Sequence, residues 1–237
     1  MTFTSAFDRT RFEQEGFAVT SALLSGLEIA ELVGLLEANP APADSGPRRG
    51  GVRDVLDLMP QLRALAAHPA VTAIVEEVLG PGAFVVRATL FDKTGEANWK
   101  VPWHQDLTIA VAGRLETPGF GPWSLKSGVQ HVQPTTEVLE RMVTVRIHLD
   151  DCPGSNGALR VIPGTHRLGR LNQNHMQEYV NEERAVTCEA LAGEALVMRP
   201  LLLHASGAAS SPSHRRVMHF DYTVGELPDG LQWRMTT

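Results

Sequence analysis

The chain has 237 residues and a net charge of −6. That length allows one large domain or two small ones, with enough core to need no disulfide staples. The modest acidity argues against nucleic acid or an anionic membrane as the main partner, and no apolar run is long enough to span a bilayer.

In chain order, Met1–Ser5 lacks the basic and apolar regions of a signal peptide, so the expected location is the cytoplasm. Phe7 to Glu15 reads as a short helix stopped at Gly16, followed by a brief strand at Phe17–Val19. Ser25 and Glu28 form a capping box that opens a helix with Ile29, Leu32, Val33 and Leu36 at helical spacing, ending before Asn39-Pro40. The Pro/Gly-rich stretch 41–51 reads as a loop. Its Arg48-Arg49 pair is read as solvated, with a substrate lid as the alternative. Val55 to Ala67 is expected to be helical around Pro60, and Pro69 to Leu79 is a second helix with proline at its start.

From Ala83 the pattern turns to β. Phe84–Phe91 is a strand, and a polar loop runs from Thr94 to Lys100. Val101-Pro102-Trp103-His104-Gln105-Asp106 is the next strand. Gly113–Gly128 reads as a long irregular loop of the kind that is often functional. Met142 to Asp150 alternates, with Val143, Val145, Ile147 and Leu149 on one face and Thr144, Arg146 and His148 on the other. Asn156-Gly157 signals a hairpin returning through Ala158–Ile162. A surface helix is expected over Asn172–Glu183, then strands at Ala185–Cys188, Ala195–Met198 and Arg216–Val224. Cys152 and Cys188 form no spaced metal motif and read as reduced thiols. Short strands behind a helical layer suggest a β-sandwich or jelly roll braced by helices, with no internal repeat.

The chemistry concentrates at His104 and Asp106. Strand alternation points both side chains the same way, an imidazole beside a carboxylate. His204, at the end of the apolar run Leu201–Leu203, can complete a 2-His-1-carboxylate triad, which holds Fe(II) and leaves positions open. Alone, an H-x-D triplet is as easily two surface residues. The apolar flanks Val101-Pro102-Trp103 and Leu107–Val111 weigh against an exposed edge.

Four pieces in order, Val101–Asp106, Asn156–His166, His204-Ala205-Ser206-Gly207 and Arg215, resemble the phytanoyl-CoA dioxygenase family of Fe(II)/2-oxoglutarate oxygenases. Gly16–Val19 followed by a helix is similar too. The resemblance implies a mainly β (α+β) double-stranded β-helix, a cupin-like jelly roll. It would form one domain over residues 1–237, with a helical part to about residue 82 and a jelly-roll core over about 83–225. It implies iron on His104, Asp106 and His204, with 2-oxoglutarate as cosubstrate and O2 as oxidant. Arg215 would grip the far carboxylate of 2-oxoglutarate with help from Ser206. Lys93 resembles a further cosubstrate contact, although a solvated strand-end lysine explains it nearly as well, and Trp123 is a candidate wall of the cosubstrate pocket. Strand phase puts Arg216 on the opposite face, as a sheet-surface charge. Arg146, Gln130 and His131 are candidates for substrate contact. His166 is read as organising a loop, and His68 as structural.

The implied reaction is hydroxylation of a C–H bond in a small molecule, with release of succinate and CO2. Asp106 favours hydroxylation over halogenation, because related halogenases lack the carboxylate ligand. The rival readings are a cupin-like isomerase or hydrolase without 2-oxoglutarate, and a non-catalytic binding module. Substrate and oligomeric state are not legible.

Overall fold

In the computed structural model, which describes residues 7–40, 51–95 and 98–235, short helices cover one face of an antiparallel sheet. The Arg48-Arg49 pair, and with it most of the expected lid, lies outside the described residues. Helix α1 (Arg9–Glu15) is capped by the Asp8 carboxylate and ends at Gly16, whose φ of 83° suits glycine. Strand β1 (Phe17–Val19) leads to α2 (Gly26–Ala38), and the Ser25–Glu28 capping box is formed. A two-residue strand β2 (Val52–Arg53) precedes α3 (Val55–Leu58). The helix expected over Val55–Ala67 is broken at Pro60 into α3, a 3-10 turn (Pro60–Leu62) and α4 (Arg63–Ala66). Proline supplies no N–H to continue the ladder. Helix α5 (Pro69–Leu79) starts as expected, and His68 is its N-cap, accepting from the Ala70 N–H.

The strands that follow are β3 (Phe84–Lys93), β4 (Val101–His104), β5 (Ile109–Val111), β6 (Trp123–Lys126) and β7 (Val129–Val132). After α6 (Thr136–Glu140) come β8 (Met142–His148) and β9 (Leu159–Val161). Helix α7 (Gln173–Tyr179) precedes β10 (Val186–Cys188), β11 (Ala195–Met198), β12 (His204–Ser206) and β13 (Arg215–Thr223). Cys152 and Cys188 are both free and buried. No helix among the described residues is long and apolar enough to cross a membrane.

These strands make a six-stranded sheet in the order β1-β11-β8-β13-β3-β2, a four-stranded sheet β10-β9-β12-β4 and a three-stranded sheet β5-β7-β6. All the pairings are antiparallel. The larger sheets face each other across Phe17, Leu196 and Met198 on one side and Leu159, Val161 and Cys188 on the other. This is the two-layer jelly roll expected, left unclosed at the sheet edges.

Two expectations about connections are corrected. Asn156-Gly157 does not turn a hairpin, because β8 lies in the six-stranded sheet and β9 in the four-stranded one. The chain passes between layers through a 3-10 turn (Gly154–Asn156), with Gly157 left-handed at φ 70°. The loop expected over Gly113–Gly128 is shorter, since β6 occupies its second half and pairs with β7.

The main core lies between the six-stranded sheet and the helices. Val143, Val145 and Ile147 of β8, and Met218, Phe220 and Tyr222 of β13, meet Phe12, Leu56, Leu62, Val71 and Ile74 there. The opposite face of the same strands is polar yet equally hidden: Thr144, Arg146, His148, Arg215, His219 and Asp221 are all buried.

Candidate active site

His104 closes β4, His204 opens β12, and the two are register partners in the antiparallel pair. Their ring centroids lie 4.1 Å apart. Each imidazole places its Nδ1 against the carbonyl two residues back, His104 on Pro102 at 2.8 Å and His204 on Leu202 at 2.9 Å. A carbonyl only accepts, so each Nδ1 carries a proton, and in the neutral ring Nε2 then keeps its lone pair. That is the tautomer a metal ligand needs.

Asp106 reaches the pair by a different route from the one alternation predicts. The strand ends at His104, and Asp106 lies two residues beyond it. Its position is set by its own N–H, which donates to the Pro200 carbonyl at 2.9 Å, and by Gln105. The buried Gln105 amide donates to the carbonyls of Leu201 and Gly169 at 2.7 and 2.8 Å and accepts from the Leu171 N–H. The residue between His104 and Asp106 is thus a clamp, a role that the motif alone does not announce. The Thr165 hydroxyl does similar work for the other strand, accepting from the Leu203 N–H at 2.9 Å just before His204.

Asp106 Oδ1 is 3.8 Å from His104 Nε2, and Oδ2 is 3.7 Å from His204 Nε2. Neither contact is a hydrogen bond. The three ligating atoms lie within 4.8 Å of one another, as an ion held between them requires. Burial works to raise the Asp106 carboxyl, but His204, His104 and Arg87 outweigh it and hold it down at about 2. Burial, then His104, drives His204 down to about 3. At neutral pH Asp106 is a carboxylate and His204 a neutral imidazole, and with the His104 imidazole beside them the donor set fits a divalent transition metal. The His104 and Asp106 side chains are 35% and 23% exposed against 5% for His204, so the cluster opens on one side only.

A cavity of about 110 Å³ adjoins the triad, lined also by Phe91, Lys93, Trp99, Arg146, Ser206 and Arg215. Three cations therefore share a small space in which, among the described residues, Asp106 is the only acid. Arg215 faces Lys93 across the β13–β3 pair. Lys93 Nζ donates to the Trp99 carbonyl at 2.7 Å and to Ser206 Oγ at 3.1 Å. Burial, then Arg215 and Arg146, brings Lys93 down to about 8, and burial with Arg215 brings Arg146 to about 10. Among the described residues, the buried Nε–H groups of Arg146 and Arg215 have no hydrogen-bond partner. Unsatisfied guanidinium donors beside a desolvated ammonium fit a small carboxylate-bearing ligand.

The Asn156-Gly157 turn belongs to this site. The Asn156 amide donates to Ser213 Oγ at 2.8 Å and accepts from the Ser213 N–H, which fixes the chain just before Arg215. The Gly157 carbonyl accepts from Arg215 Nη1. A Cβ at residue 157 would lie 2.8 Å from the Gly207 carbonyl oxygen and 3.6 Å from Arg215 Nη1. Glycine is required there by both the turn and the close approach.

The structure thus brings together His104, Asp106, His204, Lys93, Arg146, Ser206 and Arg215. Trp123, Gln130 and His131 are not among the residues lining this cavity. Trp123 is on β6, and Gln130 and His131 are on β7 of the small sheet. The Trp123 ring packs against the cluster of Ile109, Val132 and Trp233. Arg216 points away, as the strand phase predicts, and is held by Asp150 at 2.7 Å and Glu37 at 3.0 Å. His166 packs against Gly16, where a Cβ would come within 2.3 Å of its Nδ1.

Sequence reasoning missed a buried chain of polar groups under the site. Arg146 Nη1 lies 2.8 Å from His219 Nδ1, and His219 Nε2 lies 3.1 Å from Asp221 Oδ1. Asp221 also accepts from Thr144 Oγ1 at 2.6 Å and from Arg87 Nε. Burial would raise the Asp221 carboxyl, yet Arg87 and His219 hold it well below the usual range. The available signal was the shared face of Arg215, His219 and Asp221 at every second residue.

A profile of the phytanoyl-CoA dioxygenase family matches residues 12–217. Among curated proteins, the chain is 25% identical over 189 residues to an ectoine dioxygenase of Stutzerimonas stutzeri, covering 73% of this chain and 56% of that protein. The chain thus spans about half the length of the relatives it matches. Among solved structures, the apo form of EctD from S. alaskensis superposes with a TM-score of 0.70 at 20% identity, covering 94% of this chain and 79% of that one. The non-haem alpha-ketoglutarate-dependent epimerase SnoN from nogalamycin biosynthesis gives 0.66 at 20% identity, covering 90% and 80%.

Proposed function

Because the chain belongs to the phytanoyl-CoA dioxygenase family, we propose that it is a non-haem Fe(II)- and 2-oxoglutarate-dependent oxygenase that hydroxylates a C–H bond of a small molecule. The observation that carries this reading is the adjacency of a complete His104–Asp106–His204 cluster and a buried cationic seat in one cavity. When bound, the iron supplies the oxidising power, drawn from O2 and from decarboxylation of the cosubstrate to succinate and CO2. His104, Asp106 and His204 are the residues that would hold it.

The rest of the site positions and excludes. Arg215 and Lys93 receive the distal carboxylate of the cosubstrate, and Ser206 offers its hydroxyl beside them. Arg146 adds a third positive charge. The Phe91 and Trp99 rings keep the space dry, so each charge–charge contact is stronger than it would be in water. The curated relative is a dioxygenase for ectoine, and a small organic molecule is the substrate class we infer here.

The rival of a cupin-like isomerase or hydrolase has no use for three cations beside the metal. A binding module that had lost catalysis has no need of both histidine tautomers set for ligation. The test is anaerobic calorimetry of Fe(II) and then 2-oxoglutarate, followed by a succinate-release screen over small molecules. Tight 2-oxoglutarate binding that depends on Arg215 is expected. Stoichiometric metal binding with no affinity for 2-oxoglutarate would promote the isomerase or hydrolase reading.

A further inference from the structure

A second group of cations gathers around Thr108, two residues past Asp106, and the proposed reaction does not employ it. Thr108 holds two of them. Arg87 Nη1 donates to its carbonyl at 3.1 Å, and Lys126 Nζ donates to its hydroxyl at 3.0 Å. Arg87 comes from β3 and Lys126 from β6 of the small sheet. The third, Arg53 on edge strand β2, stands opposite Thr89 in register. Thr89 alternates with Arg87 and Phe91 along β3, so Arg53 is on the same sheet face as those two. Phe91 lines the cavity beside the triad.

These charges act on one another. Burial is the larger influence on Lys126, and Arg87 and Arg53 then push its ammonium further below the ordinary range. His131, on the next strand, is brought down to about 4 by burial and by the same three cations, so it stays neutral. The nearby acids do not balance them. Asp221 is taken by Arg87, Asp106 belongs to the triad, and the one carboxylate of Asp54 is spread over Arg234, Arg53 and Arg87. Lys126 spends its hydrogen bond on a hydroxyl, and among the described residues neither it nor Arg53 is in an ion pair. Half-buried like charges held near one another are unfavourable until an anion comes between them.

We propose that Arg53 and Lys126 receive an oxyanion, carboxylate or phosphate, on the organic substrate, with Arg87 fixed behind them by Asp221. The inference rests on the oxygenase reading and specifies its substrate class: a small acid whose charged end docks beside Thr108, so that its carbon skeleton extends toward the open side of Asp106 and His104.

The test is anaerobic calorimetry in two stages. Fe(II)-loaded protein is first saturated with 2-oxoglutarate, then titrated with benzoate, with benzamide as its uncharged match, and with inorganic phosphate. At least one anion should bind, benzamide should bind at least about tenfold more weakly than benzoate, and Arg53→Met and Lys126→Met should each weaken the anion by at least about tenfold. Lys126→Arg should keep most of the affinity, and circular dichroism checks that each variant is folded. Benzoate against phosphate tells which oxyanion the wall prefers. Equal binding of benzoate and benzamide, unchanged anion affinity in both methionine variants, or no anion binding up to about 10 mM would overturn the proposal. Failure of the oxygenase reading shows separately, as absent 2-oxoglutarate binding in the first stage. The anion titration then runs on the Fe(II) protein alone and still decides the basic wall.

Discussion

Strands β8 and β13 present two buried faces built on opposite principles. One carries Val143, Val145, Ile147, Met218 and Phe220 against the helices. The other carries Thr144, Arg146, His148, Arg215, His219 and Asp221 toward the second sheet. Residues on the first face are interchangeable in kind, because apolar burial is non-directional. On the second face each group has a specific partner or a specific lack of one, because a desolvated charge is tolerable only when paired. The apolar face therefore bears the stability, and the polar face concentrates charges; three of its residues, Arg146, Arg215 and His219, line the cavity beside the triad.

The sharpest break of this comparison is at the triad. His104→Ala, Asp106→Ala and His204→Ala should each abolish turnover and lower Fe(II) affinity by roughly a hundredfold or more, with the fold intact. Metal titration and circular dichroism of each variant check both halves of the statement. On the other face, Phe220→Ala should cost about 3–5 kcal/mol of stability in urea unfolding. In the variant that remains folded, Fe(II) affinity should be close to wild type. A large loss of metal affinity there would show that the two faces are not separable.

Arg215 and Arg216 are neighbours in sequence and belong to opposite faces. Arg215→Ala should raise the apparent KM for 2-oxoglutarate by about 30- to 1000-fold, since a buried charge-assisted contact is worth about 2–4 kcal/mol. Arg215→Lys should recover only part of it, because an ammonium cannot reproduce the fork. Arg216→Ala should leave KM nearly unchanged and instead lower the melting temperature, because Asp150 loses its partner. The inverse pattern in steady-state kinetics would reverse the face assignment.

The smallest effect is on pH dependence. Lys93 is charged below about 8 and neutral above it. The sign follows: affinity for the dianionic cosubstrate should be full at neutral pH and fall several-fold between about pH 8 and about pH 10. Lys93→Met should bind more weakly at neutral pH and lose the slope. A slope unchanged in that variant would assign the titration to another group.

Much of this was legible in the sequence where the controlling interaction is local. The Ser25 cap, Gly16 and Pro69 act within one turn, and each is found where it was expected. The grouping of His104, Asp106 and His204 followed from motif order, and the opposite phases of Arg215 and Arg216 from alternation. What escaped depends on which strand meets which. Asn156-Gly157 has the composition of a hairpin turn, yet nothing in two residues says that the next strand joins a different sheet. The stretch before β7 was read as loop because its glycines and prolines hide Trp123–Lys126, whose strand character comes from pairing with β7. The Arg146–His219–Asp221–Arg87 chain was invisible because it unites three strands through a register that includes a bulge after Asp221.

That chain also has a direction. Arg146 has only donors to offer, so His219 Nδ1 must accept, and its remaining proton must sit on Nε2 and point at Asp221. Thr144 and Arg87 donate to the same carboxylate. The donors of His219, Thr144 and Arg87 are therefore all aimed at Asp221. The carboxylate fixes the His219 ring, and the ring in turn gives Arg146 an acceptor beneath the cavity, so one buried acid sets the posture of a cation two links away.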